Sequence, residues 1–152
     1  MVRSVDKRSI LKKMSLAYIK RVEKPWGYEL HFVPEGMPYM GKIMHIKAGK
    51  RLSLQVHDQK IESYYLSSGK CNLIIENEKG KLESIPMEKG KGYTILPGQK
   101  HRHEAVTECD VFEASTPEIG NTFRLEDDYS RPTETEQLRK LSNRGFDPTK
   151  HS

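Results

Sequence analysis

No run in the chain approaches the roughly 18 consecutive apolar residues that a membrane span requires, so no transmembrane helix is expected. The N-terminus also lacks a continuous apolar stretch followed by small residues, and no secretory signal is expected there. Cysteine is scarce: Cys71 and Cys109 stand apart, without CxxC spacing, as two small buried side chains in a reducing cytoplasm would. Internal repeats and low-complexity segments are absent. The hydrophobic share is only 35%, yet the apolar residues gather in short alternating runs, which separates the chain from a disordered one.

What is present fits one domain, since 152 residues suffice for a sizeable core. The net charge of +5 would suit nucleic acid, but its placement does not. Arg3, Lys7, Arg8, Lys12 and Lys13 face a single Asp6, so four of the five net charges sit in the first 13 residues. A true electrostatic footprint belongs on the folded part. Neither nucleic acid nor membrane is therefore an expected partner.

Period-two alternation predicts strands over Tyr28 to Val33, Tyr39 to Ile46, Lys70 to Glu76, Lys81 to Pro86, Gly92 to Leu96, His101 to Val106 and Asp110 to Ser115. Turn residues recur every 8–12 positions between them, which points to an antiparallel sandwich or barrel. Helix is expected only at the ends. Ile10, Leu11, Met14, Ala17 and Tyr18 have helical spacing, and Thr133-Glu134-Thr135-Glu136 reads as a capping box opening a helix through Leu141. The expected organisation is a basic extension over 1–23, a barrel over 24–131, and a C-terminal helix with a loose tail over 132–152.

The organising stretch is Gly49 to Gly69, read as strand, turn and strand. Gln55 and His57 share a strand face, about 6.8 Å apart, and Asp58-Gln59-Lys60 turns the chain. Glu62, Tyr64 and Leu66 then share one face of the next strand. A Gln, a His and a Glu on neighbouring antiparallel strands can converge on one ion, at about 2.0–2.2 Å. His101 follows a Pro-Gly turn, with His103 on the same face two residues on.

Taken together, Gly49-x5-Gln55-x-His57-x4-Glu62-x6-Gly69 and Gly90-x5-Leu96-Pro97-Gly98-x2-His101 resemble the paired motifs of the cupin superfamily. That family has His at Gln55, Pro at Leu96 and Asn at Ala105. A narrower resemblance accounts for the Gln. Lys24-Pro25-Trp26-Gly27-Tyr28-Glu29, Arg51-Leu52-Ser53-Leu54-Gln55-x-His57, Glu62, His101-Arg102 and Arg124-x3-Asp128-Tyr129-Ser130-Arg131 are similar to the type II phosphomannose isomerase cupin. The chain departs from it at Ser63, where His is usual, and at Tyr129-Ser130-Arg131, where YGR is usual. The nucleotidyltransferase domain to which that cupin is often fused is not expected within these 152 residues.

The resemblance implies an all-β, single-domain cupin (a jelly-roll barrel, or double-stranded β-helix) with short terminal helices, commonly a homodimer in the cytoplasm. It implies one divalent ion, zinc first with Mn, Co, Fe or Ni as alternatives, held by Gln55, His57, Glu62 and His101. It further implies a metal-dependent sugar-phosphate aldose–ketose isomerase, with Arg124 and His103 as catalytic candidates. Arg124, Arg131, Ser53 and Tyr64 are the substrate-binding candidates. Alternation between Phe123 and Leu125 leaves Arg124 inside or outside the barrel, and a surface ion-pair cluster of Arg124 and Arg131 with Glu126, Asp127 and Asp128 is the plainer alternative. Two other functions stand beside isomerisation: a non-catalytic sugar-binding or regulatory cupin, and an iron-dependent dioxygenase.

Overall fold

Two antiparallel sheets face each other across one interior in the computed structural model, which describes residues 6–14 and 17–150. Arg3 of the basic extension and the end of the expected tail lie outside the described residues. The larger sheet has the spatial order β1 (Lys20–Lys24), β2 (Gly27–His31), β3 (Met40–Ile46), β10 (Cys109–Ser115), β5 (Glu62–Ser68) and β8 (Gly92–Ile95). The smaller runs β11 (Thr122–Glu126), β4 (Leu54–His57), β9 (His101–Ala105), β6 (Cys71–Glu76) and β7 (Leu82–Pro86). Helix is confined to α1 (Lys7–Met14), α2 (Glu136–Arg139) and 3-10 turns at Ser142–Gly145 and Pro148–Lys150. No helix among the described residues is long and apolar enough to cross a membrane.

Alternation determines which side chains enter the interior, and register aligns them into layers. Along β3 the inward row is Lys42, Met44, Ile46; along β10 it is Glu113, Val111, Cys109. The pairing sets Lys42 opposite Glu113, Met44 opposite Val111, and Ile46 opposite Cys109. β5 adds Glu62, Tyr64 and Leu66, and β9 adds His101, His103 and Ala105, each running from polar to apolar. One end of the barrel is thus an apolar core around Ile46, Leu66, Leu73 and Val111. The other end is charged. Burial of the apolar end supplies the hydrophobic stabilisation, at about 25 cal/mol per Å². The two cysteines are free and buried in that end, as expected.

The structure corrects several local expectations. Lys20–Lys24 is a strand, paired to β2 from Lys20↔His31 to Lys24↔Gly27 across a two-residue turn at Pro25-Trp26. Its KRVEK sequence hides it, because only Val22 and Lys24 face inward. Helix α1 stops at Met14, short of Ala17 and Tyr18, and the side chains of Ile10 and Met14 lie outside the described residues. Thr135, rather than Thr133, caps α2 by accepting from the Leu138 amide, because Glu134 is still paired to Thr122 as an extended residue. Of the expected loose tail, the Ser142–Gly145 turn lies over the charged end, where Arg144 pairs with Glu118 and Glu134.

Gly49 and Gly69 frame the organising stretch with nearly the same left-handed backbone, φ 74° and 76°. Their surroundings differ. A Cβ at Gly69 would lie 2.1 Å from the Glu108 carbonyl oxygen, whereas one at Gly49 would meet nothing within 4 Å. Gly49→Ala should therefore cost only the conformational penalty of about 1 kcal/mol. Gly69→Ala must also displace backbone and should cost at least about 3 kcal/mol. Urea unfolding of both variants checks this, and equal losses would contradict it.

Candidate metal centre and its cavity

β4 meets β9 with Gln55 opposite His101, and β11 lies on its other side with Arg124 opposite Gln55 and Thr122 opposite His57. Gln55 and His57 project from the same face of β4, as two residues apart on a strand must. Glu62 arrives from the opposing sheet at the first position of β5. Its Oε1 lies 2.9 Å from His57 Nε2 and 2.8 Å from His101 Nε2. The candidate ligand atoms of these three residues lie within 4.8 Å of one another. The Gln55 amide nitrogen is 3.5 and 3.4 Å from the same two ring nitrogens, while its oxygen accepts from Ser53 Oγ at 2.9 Å. A half-turn of the amide presents Oε1 to the centre instead, and the Ser53 hydroxyl can accept as well as donate.

The donor chemistry of the set fits a metal ion. His101 Nδ1 donates to the Gln99 carbonyl at 3.0 Å, so in the neutral ring the lone pair is on Nε2, facing Glu62. A lone pair and a carboxylate oxygen 2.8 Å apart repel unless they share a cation. His57 Nδ1 is anchored by Thr122 Oγ1 at 3.0 Å, again leaving Nε2 toward the centre. Burial lowers the His57 pKa despite the Glu62 carboxylate, which keeps the ring in its ligating neutral form. Burial opposes the charge on Glu62, but Lys60 and the two imidazoles hold its carboxyl well below the usual carboxylate range.

A network of buried charges that the sequence reading missed surrounds this set. Lys60, read as a turn residue, sends its ammonium inward, 3.1 Å from Glu62 Oε2 and 2.9 Å from Glu113. Lys42 lies 3.7 Å from Glu113, 3.3 Å from Glu29 and 2.9 Å from Glu118. Arg144, from the expected tail, pairs with Glu118 and, at 2.9 Å, with Glu134. The signal was present in part. Lys42 and Glu113 are in phase with the apolar residues of their own strands, and Lys60 precedes Glu62 by two. Burial raises the Glu113 pKa against the pull of Lys42 and Lys60, and lowers that of Lys24 to about 8 despite Glu29.

Ser53, Tyr64, Arg124 and Arg131 all line the cavity beside Gln55, His57 and Glu62, which encloses about 50 Å³. Arg124 points inward from β11, as Thr122 does, while Phe123 and Leu125 are exposed. It donates to the Pro132 carbonyl at 2.5 Å and pairs with Glu134 at 3.2 Å, not with the neighbouring acids. Arg131 does form the local ion pair, bidentate to Asp127 at 3.0 and 2.9 Å. His103 is not brought to the cavity. It is fully buried behind it, edge-on to the Tyr64 ring at 4.3 Å, and neither ring nitrogen has a partner. Burial, and then the neighbouring His101, lower its pKa to about 3.

Two outcomes follow from these positions. Gln55→Ala should retain more metal than His57→Ala or His101→Ala, because a neutral amide is the weakest ligand of the four, and elemental analysis gives the ranking. His103 makes stability fall as pH drops from about 6.5 toward 3, since over that window the unfolded chain binds a proton that the folded chain refuses. His103→Leu should flatten that slope in urea unfolding at pH 4 to 7 and leave metal content unchanged. An unaltered slope would show that the ring is not buried as described.

A family model described as the C-terminal domain of mannose-6-phosphate isomerase matches residues 12–131. No curated protein matches the chain. Among solved structures, the oxalate decarboxylase of Bacillus subtilis superposes with a TM-score of 0.61 at 20% identity, over 72% of this chain and 31% of that one. The formate complex of the Lactobacillus farciminis oxalate decarboxylase gives 0.59 at 19% identity, over 73% and 34%. This chain therefore spans about a third of those enzymes, and the likeness is one of fold, a single cupin barrel. With 12–131 matched and the barrel observed, the chain belongs to the mannose-6-phosphate isomerase C-terminal family of the cupin superfamily.

Proposed function

We propose that the protein is a metal-dependent aldose–ketose isomerase acting on a phosphorylated sugar such as mannose 6-phosphate. The observation that carries this reading is the pairing of Arg124 with Gln55 across β11 and β4, which puts a fixed cation in the same cavity as Gln55, His57 and Glu62, three of the four candidate ligands. The family match supports the reaction class. Zinc is the proposed ion, since two imidazoles with a carboxylate suit it, and Mn, Co, Fe or Ni can take the same ligands. The Mn(II) centres of the Bacillus subtilis oxalate decarboxylase support a divalent ion on this fold. Such an ion, when bound, stabilises the negative charge that develops on adjacent substrate oxygens.

The side chains divide the remaining work. Arg124 offers a planar fork to phosphate or enediolate oxygens and keeps its charge throughout the working pH range. Isomerisation moves a proton between adjacent carbons, and a base facing the cavity must carry it. Glu113 is proposed for that role in place of His103: it lines the cavity, whereas His103 does not. Lys24, also on the cavity and lowered to about 8, can lend a proton to a substrate oxygen near neutral pH. A homodimer belongs to the same proposal. Leu30, Ile43, Phe112 and Tyr65 are register neighbours on the outer face of the larger sheet, forming an apolar row that a second copy would cover.

A coupled isomerase assay on hexose and pentose phosphates, with added Zn²⁺, Mn²⁺, Co²⁺ or Fe²⁺, tests the reaction. Arg124→Lys should lower turnover at least about tenfold, or ~1.4 kcal/mol, and Arg124→Ala further, with metal content unchanged. Glu113→Gln should lower it by about a hundredfold or more. Sugar-phosphate binding without turnover by the wild type would favour the sugar-binding module instead, and oxygen consumption the dioxygenase. Wild-type turnover by Arg124→Ala would remove Arg124 from the reaction.

A further inference from the structure

The inner cavity is too small for a sugar phosphate. On a scale where one water needs roughly 10–15 Å³, its volume of about 50 Å³ takes a few waters. Beside it, between the 34–40 loop and the C-terminal segment, lies a second cleft of about 570 Å³. Among the described residues, only Glu118 and Arg144 line both spaces. Their ion pair forms the partition between the two.

Arg144 is set there by a strained backbone. Asn143, Arg144 and Gly145 are consecutively left-handed, with φ 45°, 53° and 81°, a conformation unfavourable for an arginine. The segment is pinned by Asn143 Oδ1 accepting from the Glu23 amide at 2.9 Å, and by Arg139 and Arg144 on Glu134 at 3.1 and 2.9 Å. Glu134 is joined to β11 by two backbone hydrogen bonds with Thr122, and its carboxylate pairs with Arg124 at 3.2 Å. The Arg124 side chain is only 6% exposed, yet its Nε has no partner. A donor is therefore unspent at the place where a carboxylate already sits.

We propose that residues 135–150 are a strap over the metal cavity, hinged at Glu134, whose carboxylate occupies the position on Arg124 that a substrate phosphate takes. The proposal rests on the reading of the cavity as a sugar-phosphate site. A phosphate brings nearly two charges and three acceptor oxygens, enough to use the free Nε–H as well as the terminal nitrogens. Displacing Glu134 frees the strap to lift Arg144 from Glu118, which joins the inner cavity to the larger cleft. Neither carboxylate is stranded by the motion, since Glu118 keeps Lys42 at 2.9 Å and Glu134 keeps Arg139 within the strap.

Hydrogen–deuterium exchange on the full chain, with inorganic phosphate titrated at constant ionic strength, tests the strap directly. Phosphate should raise exchange over 135–150 and leave β5 and β10 unchanged. Asn143→Ala should do the same without phosphate, because it removes the acceptor that ties the segment to the Glu23 amide and leaves an alanine at φ 45°. That variant should bind phosphate about fivefold more tightly, the closed population having been reduced. Glu134→Gln, which removes the competing charge, should also tighten binding. Phosphate binding with 135–150 equally or better protected would overturn the strap while leaving the sugar-phosphate reading intact. If Asn143→Ala opens the segment but neither it nor the wild type binds phosphate, the sugar-phosphate reading fails, and the anion role of Glu134 with it.

Discussion

Glu113 sharing its carboxylate between Lys42 and Lys60 is the interaction on which the charged end of the barrel depends. Removing an ion from water costs several kcal/mol, and its neighbours must return that cost through pairing. Here Lys60, Lys42 and Arg144 each touch a carboxylate that itself touches a second cation, from Lys60 through Glu113 and Lys42 to Glu118 and Arg144. Such a network adds little net stability over an apolar core of the same shape. Its effect is geometric: any one member left unpaired is expensive, so all of them are held in register. The hydrophobic end of the barrel does the stabilising, and the charged end holds the geometry.

That geometry reaches the candidate metal centre through Lys60. Its contact with the second oxygen of Glu62 keeps the carboxyl ionised and its first oxygen directed at His57 and His101. Thr122 and the Gln99 carbonyl fix the two rings from behind, so that both Nε2 atoms face inward. A site whose ligands are supported in this way is preorganised for an ion and loses little by ordering when one binds. On the far side, Arg124 is held ready but occupied. The same arrangement that positions the arginine therefore also closes the cavity.

Much of this was legible because strand alternation is a local property. Two-residue spacing put Gln55 with His57, Glu62 with Tyr64, and His101 with His103, and each pair does share a face. Alternation fixes the face, however, and not the depth. His101 and His103 both point inward, but His103 sits one layer further in, within the Tyr64 contact and away from the cavity. Long-range pairing was hidden for a related reason. Lys60, Lys42 and Arg144 look like solvated residues until the acids opposite them are known, and most of those acids come from other strands and loops. β1 was invisible because it pairs through its backbone while three of its five side chains are charged and only partly covered or exposed.

The claim that binds these observations is that His57 and His101 hold one divalent ion through Nε2. Zinc titration followed by the imidazole ¹⁵N shifts of the protein's six histidines tests it most directly. The account predicts that Nε2 of His57 and of His101 move together and saturate at one equivalent, while His31, His45 and His103 stay in place. Shifts confined to other histidines, or none at one equivalent of zinc, would contradict it.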